Sequence, residues 1–117
     1  MSSICRSIYK EMTNTWKTLT ICGSLRFEKQ MQQIAYILET EQCINILQCV
    51  YGNGETPSKE QLDRLTAAHF RKIDLSDGIY VVNPGGYIGE STRTEIAYAI
   101  SRGKEIIYYE QPGEQKV

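Results

Sequence analysis

Apolar residues follow two alternating periodicities from residue 18 onward. Four short runs are rich in aliphatic, β-branched and aromatic side chains, which is typical of buried strands: residues 18–22, 44–50, 79–82 and 106–109. Between these runs, apolar residues recur at intervals of three and four, which indicates amphipathic helices. The resulting order, β-α-β-α-β-α-β, predicts a parallel sheet that is covered by helices on both faces.

Each predicted helix has one apolar stripe. The first two stripes each have four members: Phe27, Met31, Ile34 and Leu38, then Leu62, Leu65, His69 and Ile73. Pro57 is expected in the first turn of the second helix, and Asp77-Gly78 at its end. The third helix is expected to start at a cap formed by Ser91 or Thr92 and to end at Gly103. Its inward-facing side chains are expected to be Ile96, Ala99 and Ile100.

Right-handed crossovers leave few arrangements for these elements. We predict a small three-layer α/β fold of the flavodoxin or Rossmann type, with strand order 2-1-3-4, and we leave a fifth strand open. Residues 18–110 are expected to form one α/β domain. An N-terminal arm, residues 1–17, precedes this domain, and a polar tail, residues 111–117, follows it.

Composition and charge narrow the range of partners. The 117 residues are 41% hydrophobic and 23% charged, with a formal net charge of −1, which is close to the soluble globular average. No basic field favours polymeric nucleic acid, and no apolar run reaches the roughly 20 residues that span a bilayer. We therefore expect neither a nucleic-acid polymer nor a membrane as partner.

The cysteines and the histidine give no sign of a metal centre. The four cysteines, at positions 5, 22, 43 and 49, form no C-x-x-C pair, and His69 is the only histidine. Zinc sites are usually recognised by clustered cysteine and histidine, so we expect no metal and no cofactor. Free thiols, and the lack of a signal-peptide apolar core at the start of the chain, favour the cytoplasm.

Two glycine-marked loops are expected to flank a ligand crevice. In open parallel sheets, ligands bind beyond the carboxyl ends of the strands at the switch point, here between strands 1 and 3. The loop of residues 22–26 suits an anion, because Gly23 permits close approach, Ser24 offers a hydroxyl and Arg26 offers a guanidinium. The alternative interpretation is a tight turn in which Ser24 caps the following helix.

The second loop, residues 83–95, is long for a connection between a strand and a helix. Its glycines permit close ligand approach, Tyr87 can stack on a base or sugar, and Glu95 is expected to direct its carboxylate into the crevice. Alternatively, the glycines only form turns, and Glu95 only stabilises the helix dipole. His69 lies near the end of the second helix, and we expect it to pack in the core rather than to reach the crevice.

A resemblance to the nucleoside 2-deoxyribosyltransferase-like superfamily is carried by two segments, CGSLR and SDGIYVVNPGGYIGESTRTEIAYAISRGKEI. That superfamily includes the 2'-deoxynucleoside 5'-phosphate N-hydrolases, and the resemblance covers residues 18–109. It implies that Glu95 is the catalytic nucleophile. Three positions depart from the family pattern. Thr20 replaces a tyrosine, Gly89 replaces an aspartate found in some relatives, and His69 replaces an aspartate that assists the leaving base.

The two loops and the resemblance together give a predicted site. His69 is a second catalytic candidate beside Glu95, able to donate a proton if it faces the crevice. The residues expected to bind substrate are Cys22, Gly23, Ser24, Arg26, Asn83, Gly85, Gly86, Tyr87, Gly89 and Ser91. The family resemblance also implies a homodimer or higher homo-oligomer, in which a neighbouring copy completes each pocket.

A second resemblance is carried by SDGIYVVNPGGYIG, which is similar to SDGFIALPGGYGT of the Lonely Guy-type cytokinin phosphoribohydrolases. Ile88 and the spacing of Ser91-Thr92 interrupt the P-G-G-x-G-T-x-x-E motif of that family. Members of both families cleave the N-glycosidic bond of a nucleoside monophosphate. The predicted function is therefore N-glycosidic cleavage, or base transfer, on a (deoxy)ribonucleoside or its 5'-monophosphate. The alternatives are a Lonely Guy-like phosphoribohydrolase and a non-catalytic nucleotide-binding module.

Overall fold

A computed structural model describes residues 15–112 of the chain, and they form alternating strands and helices. The strands are β1 (Thr18–Gly23), β2 (Asn45–Leu47), β3 (Gly78–Val82) and β4 (Glu105–Tyr108). The helices are α1 (Glu28–Gln42), α2 (Lys59–Leu75) and α3 (Glu90–Ser101). Two short 3₁₀ turns, Leu25–Phe27 and Pro84–Gly86, follow β1 and β3. The predicted order of elements is therefore confirmed.

The four strands form one parallel sheet in the order β2-β1-β3-β4, as the sequence predicts. The fifth strand that the sequence left open is not found within residues 15–112. β2 is much shorter than its predicted run because it pairs with β1 only from Asn45 to Leu47. The chain then leaves the sheet, and Cys49 and Val50 line a cleft instead of extending an edge strand.

Two apolar clusters cover the two faces of the sheet. On one face α1 places three members of its predicted stripe, Met31, Ile34 and Leu38, against Leu19 and Ile21 of β1. On the other face, α2 and α3 cover the sheet with a second cluster: Cys22, Ile73, Ile79, Val81 and Ala99. The consecutive apolar residues of β1 and β3 are explained by this double coverage.

The two helix starts differ from the prediction. Pro57 lies before α2, whose cap is Ser58. The Ser58 side chain accepts a hydrogen bond from the Gln61 backbone, and the Gln61 side chain accepts one from the Ser58 backbone, which is a capping box. α3 is capped by Gly89 rather than by Ser91 or Thr92, because the chain is already helical from Glu90.

Three further expectations about helix ends and faces have mixed outcomes. Gly103, at φ 69°, ends α3 in the left-handed conformation, as predicted. Ile100 is wrong as an inward residue, because it is 62% exposed. Gly78 starts β3 rather than ending α2. A Cβ there would come within 2.5 Å of the Glu105 carbonyl oxygen, so a side chain cannot fit.

The chain ends carry two predictions that the structure leaves open. Most of the predicted N-terminal arm and most of the polar tail lie outside the described residues. None of the helices within residues 15–112 combines the length and apolar character that crossing a bilayer requires.

Candidate functional site

A cleft of about 600 Å³ lies beyond the carboxyl ends of β1 and β3. The loop after β1 and the loop after β3 form two of its walls, and α2 forms a third. Seven of the predicted site residues line it: Gly23, Ser24, His69, Tyr87, Gly89, Ser91 and Glu95. The predicted crevice is therefore present at the switch point, and ligand pockets in proteins commonly have this size.

Three side chains meet at the base of this cleft, and we call them the Cys22–His69–Glu95 cluster. The Nε2 atom of His69 lies 3.4 Å from the Sγ atom of Cys22 and 3.4 Å from the Oε1 atom of Glu95. The side chains of His69 and Glu95 are 11% and 19% exposed, and Cys22 is buried. Each residue comes from a different element, namely β1, α2 and α3.

Helical periodicity explains how two of these side chains reach the base of the cleft. His69 lies four residues before Ile73 on α2, and Glu95 lies four residues before Ala99 on α3. Ile73 and Ala99 are fully buried against the sheet. Residues four apart share one helix face, so His69 and Glu95 extend the two buried stripes toward the carboxyl edge.

The expectation that His69 does not reach the crevice is wrong, because α2 extends past the sheet. Residues 59–68 are all exposed, whereas His69 and Ile73 are buried. The N-terminal part of α2 therefore has no sheet beneath it over a length of about 15 Å. This part, called the α2 overhang below, forms a wall of the cleft, and His69 lies where the overhang meets the sheet.

The cluster is not a cysteine–histidine–carboxylate triad of the hydrolytic kind. In such a triad the nucleophile and the acid contact opposite ring nitrogens, whereas Cys22 and Glu95 both approach Nε2 of His69. Burial raises the pKa of the Cys22 thiol well above its usual value, and the nearby Glu95 carboxylate raises it further. A buried, protonated thiol is a poor nucleophile, so Cys22 is assigned no nucleophilic role.

The side chains of Arg26 and Tyr87, which were both predicted to bind the ligand, contact each other. The Arg26 guanidinium carbon lies 4.1 Å from the Tyr87 ring centroid, and the Phe27 ring meets the same ring edge-on at 5.9 Å. These contacts join the loop after β1 to the loop after β3 at the mouth of the cleft. Arg26 is therefore not among the residues that line the cleft, and one face of Tyr87 is already covered.

Ser24 follows the alternative interpretation of its loop. Its hydroxyl oxygen accepts a hydrogen bond from the Arg26 backbone at 3.4 Å and caps the 3₁₀ turn Leu25–Phe27. The residue still lines the cleft, together with Gly23. Gly23 has little room for a side chain, because a Cβ would lie 3.1 Å from the carbonyl oxygen of Val82.

Three predicted binding residues have other roles in the structure. The buried Asn83 amide donates to the carbonyl oxygen of Glu110 and accepts from the Glu110 backbone N–H, both at 2.8 Å. It anchors the chain after β4, so its polar atoms do not face the cleft. Gly85 and Gly86 do not line the cleft either. Their φ values of 65° and 78° form the turn after β3.

The prediction missed an apolar rim on the cleft. Leu62 and Leu65 on the α2 overhang and Val50 after β2 line it, and their exposed fractions are 50%, 39% and 62%. A smaller cavity of about 400 Å³ shares Val50 and Leu65 with the cleft. The two leucines belong to the predicted apolar stripe of α2, so the sequence did contain the signal. It was assigned to the core because the overhang was not foreseen.

Comparisons of the chain with known protein families, with curated proteins and with solved structures find no match, so the cleft and its residues are what bear on function.

Proposed function

We propose that this protein cleaves the N-glycosidic bond of a (deoxy)ribonucleoside or its 5'-monophosphate, with water or a second base as acceptor. The observation that carries the proposal is the Glu95 carboxylate at the base of a nucleotide-sized cleft at the switch point. Its side chain is only 19% exposed, so the carboxylate is surrounded mostly by protein atoms at the base of the cleft.

Glu95 is the proposed nucleophile. One carboxylate oxygen forms a bond to C1' of the sugar while the bond from C1' to the base nitrogen breaks, and the electron pair leaves with the base. The base takes a proton from a water molecule in the cleft as it departs, and the proton that the attacking water later loses restores the balance. Water then attacks C1', loses a proton and releases the Glu95 carboxylate with the free sugar. If a second base attacks instead, a new nucleoside forms.

His69 is better suited to positioning Glu95 than to protonating the base. In retaining glycosidases the acid and the nucleophile stand about 5–5.5 Å apart, on opposite sides of the reacting carbon. The 3.4 Å separation of His69 Nε2 and Glu95 Oε1 leaves no room for the sugar between them. We therefore assign to His69 the orientation of the carboxylate, which replaces the earlier proton-donor expectation.

The two ends of the substrate fit different walls of the cleft. The start of α3, from Gly89 to Thr92, lines the cleft near Ser24, and backbone N–H groups at a helix start favour a 5'-phosphate. The apolar rim of Val50, Leu62 and Leu65 offers a surface for the flat base. In the proposed homodimer, a neighbouring copy covers this rim and completes the pocket. Light scattering of the full chain measures whether the dimer forms.

The test compares Glu95→Gln with wild type in a chromatographic assay for free base. The substrates are a panel of ribo- and deoxyribonucleosides and their 5'-monophosphates. Loss of the nucleophile is expected to lower the release of base by about a thousandfold or more. Glu41→Gln, which changes an exposed glutamate of α1 in the same way, is the control and is expected to match wild type.

Two outcomes contradict the proposal. Release of base by Glu95→Gln at the wild-type rate removes Glu95 from the chemistry. Saturable binding of a panel member by wild type, without release of base, would show that the protein is a nucleotide-binding module and not a glycosidic enzyme.

A further inference from the structure

We propose that the Cys22–His69–Glu95 cluster binds a zinc ion, with a fourth coordination position open to the cleft. This inference goes beyond the proposed glycosidic reaction, which needs no metal. A thiolate sulfur, an imidazole nitrogen and a carboxylate oxygen are the three ligand types that zinc uses in proteins. Magnesium and calcium prefer oxygen ligands alone, so this donor set disfavours them.

Two of the three spacings among the ligand atoms are close to those of a tetrahedral zinc site. Zinc–sulfur bonds of about 2.3 Å and zinc–nitrogen or zinc–oxygen bonds of about 2.0–2.1 Å fix the distances between ligands. At tetrahedral angles, a sulfur lies about 3.6 Å and an oxygen about 3.4 Å from the nitrogen. Both distances from His69 Nε2 are 3.4 Å, and all three ligand atoms lie within 4.8 Å of one another.

Hydrogen bonding accounts for only part of this arrangement. One ring nitrogen holds at most one proton, yet both the Cys22 sulfur and a Glu95 oxygen approach Nε2 of His69. A charge-assisted bond from imidazole to carboxylate is usually about 2.7–2.9 Å long, and this contact is 3.4 Å. A shared bound ion therefore explains the long contact between His69 and Glu95 better than a direct hydrogen bond does, whereas the separation of Cys22 and His69 fits either arrangement.

The surroundings also suit a bound ion with one free position. Cys22 belongs to the apolar cluster with Ile73, Val81 and Ala99, which closes the site on the side of the sheet. His69 and Glu95 line the cleft, so a fourth ligand reaches the ion from there. Three protein ligands and one exchangeable position are typical of zinc sites that bind small molecules, whereas structural sites have four protein ligands.

Zinc binding has a defined proton balance and a consequence for the proposed reaction. The Cys22 thiol gives one proton to solvent as its sulfur becomes a thiolate ligand, and no oxidant or reductant is required. Glu95 cannot bind zinc and attack C1' at the same time. The zinc-loaded protein is therefore inactive in the proposed reaction, and a chelator restores activity.

The experiment titrates the full chain with cobalt(II) as a spectroscopic probe after treatment with a chelator. Wild type is expected to bind one equivalent and to develop a thiolate-to-cobalt charge-transfer band in the near ultraviolet, which zinc then abolishes. His69 is the only histidine of the chain, so its ring resonance gives an unambiguous second readout on adding zinc. That resonance is expected to shift in wild type at one equivalent.

Matched variants locate the ion. Cys22→Ser, His69→Gln and Glu95→Gln each remove one ligand, and each is expected to weaken binding by at least about tenfold. Cys43→Ser and Glu41→Gln change an exposed cysteine and an exposed glutamate outside the cleft and are expected to bind as wild type does. Circular dichroism checks the fold, and Glu95→Gln alters the smallest number of buried atoms.

Three results overturn the zinc proposal: no charge-transfer band, no shift of the His69 resonance, or wild-type affinity in folded Glu95→Gln. The outcome is independent of the proposed reaction, because base release is measured on chelator-treated protein. Release of base by a protein that binds no metal contradicts the zinc proposal and leaves the proposed reaction in place. A cobalt band in a protein that releases no base supports the zinc site and removes only the glycosidic reaction.

Discussion

Two partly buried carboxylates, Asp74 and Glu95, lie between α2 and α3, one at each edge of the sheet, and their bonding differs sharply. At the amino edge, both Asp74 oxygens accept from the Tyr98 hydroxyl at 2.8 Å, and Arg102 Nε lies 3.2 Å away. At the carboxyl edge, the Oε1 atom of Glu95 lies 3.4 Å from the Nε2 atom of the His69 ring, and no arginine or lysine of the described residues forms an ion pair with it. A carboxylate whose bonds are made within the fold holds helices together, whereas a loosely bonded one is available to a ligand.

The same contrast extends to the neighbouring cations. Lys104 Nζ donates to the backbone carbonyls of Asp74 and Ser76 at 3.1 and 2.8 Å, which ties the start of β4 to the end of α2. At the carboxyl edge, the guanidinium of Arg26 lies on an aromatic ring at the mouth of the cleft. The amino edge is therefore a closed network, and the carboxyl edge keeps polar groups facing open space.

Removing the amino-edge carboxylate should cost stability and leave the chemistry in place. We expect Asp74→Ala to lower the free energy of unfolding by about 2 kcal/mol, because the Tyr98 hydroxyl loses a charged acceptor. Urea unfolding measures this change, and base release is expected to stay within about twofold of wild type. Asp63→Ala, which removes an exposed i,i+4 ion pair with Lys59, is the control and should change stability by less than about 0.5 kcal/mol.

One result would contradict the contrast between the structural amino edge and the functional carboxyl edge. A folded Asp74→Ala protein of wild-type stability that releases no base would assign the functional role to the amino edge.

Replacing His69 tests the carboxyl edge of the sheet, and the expected change in free energy is smaller than for Asp74→Ala. We expect His69→Gln to lower kcat for base release by about tenfold, equivalent to about 1.4 kcal/mol, because the Glu95 carboxylate loses its neighbour. KM is expected to stay the same, since His69 orients the nucleophile rather than the substrate. Steady-state kinetics on chelator-treated protein separates the two constants. A rise in KM at unchanged kcat would show that His69 binds substrate instead.

The buried Cys22 thiol gives the smallest predicted effect, on the pH dependence of stability. Its pKa is raised in the folded state by burial and by Glu95, so the unfolded chain loses this proton first. The contribution to stability is full below the ordinary pKa of 9.0 and falls as the pH rises above it. At about half a pH unit above that value, we expect ionisation of this thiol in the unfolded chain to have lowered the free energy of unfolding of wild type by about 0.8 kcal/mol.

Urea unfolding across this pH range, compared between wild type and Cys22→Ala, isolates the thiol from the other groups that titrate there. The difference between the two proteins is expected to shrink as the pH rises. A difference that does not change with pH would mean that the thiol ionises equally well in both states.

Most of the fold could be predicted from the sequence because its signals are local. The stripe of Met31, Ile34 and Leu38 specifies one helix face, and the consecutive apolar residues of β3 specify a strand covered on both sides. Strand order then follows from the handedness of the crossovers. The shortness of β2 was not predictable in this way, since it depends on where the chain leaves its single neighbour strand.

The site was predicted less completely because its geometry depends on distances between elements. The two loops and Glu95 follow from the position of the switch point, and the structure brings seven predicted residues to the cleft. The contact between Cys22 and His69 joins residues 47 positions apart, and no spacing rule contains it. Asn83 looked like a ligand-binding residue because its bond to the Glu110 backbone is visible only once β4 is in place.

The α2 overhang also sets how firmly one wall of the cleft is held. Its residues are stabilised by the capping box at Ser58, by two exposed ion pairs that each join residues four positions apart, and by helical hydrogen bonds that face water. From His69 onward, the same helix is anchored to the sheet through Ile73. Fraying of the first turns therefore requires little free energy and leaves the anchored part intact. The entrance can widen by local unfolding of one wall while the reacting groups at its base keep their places.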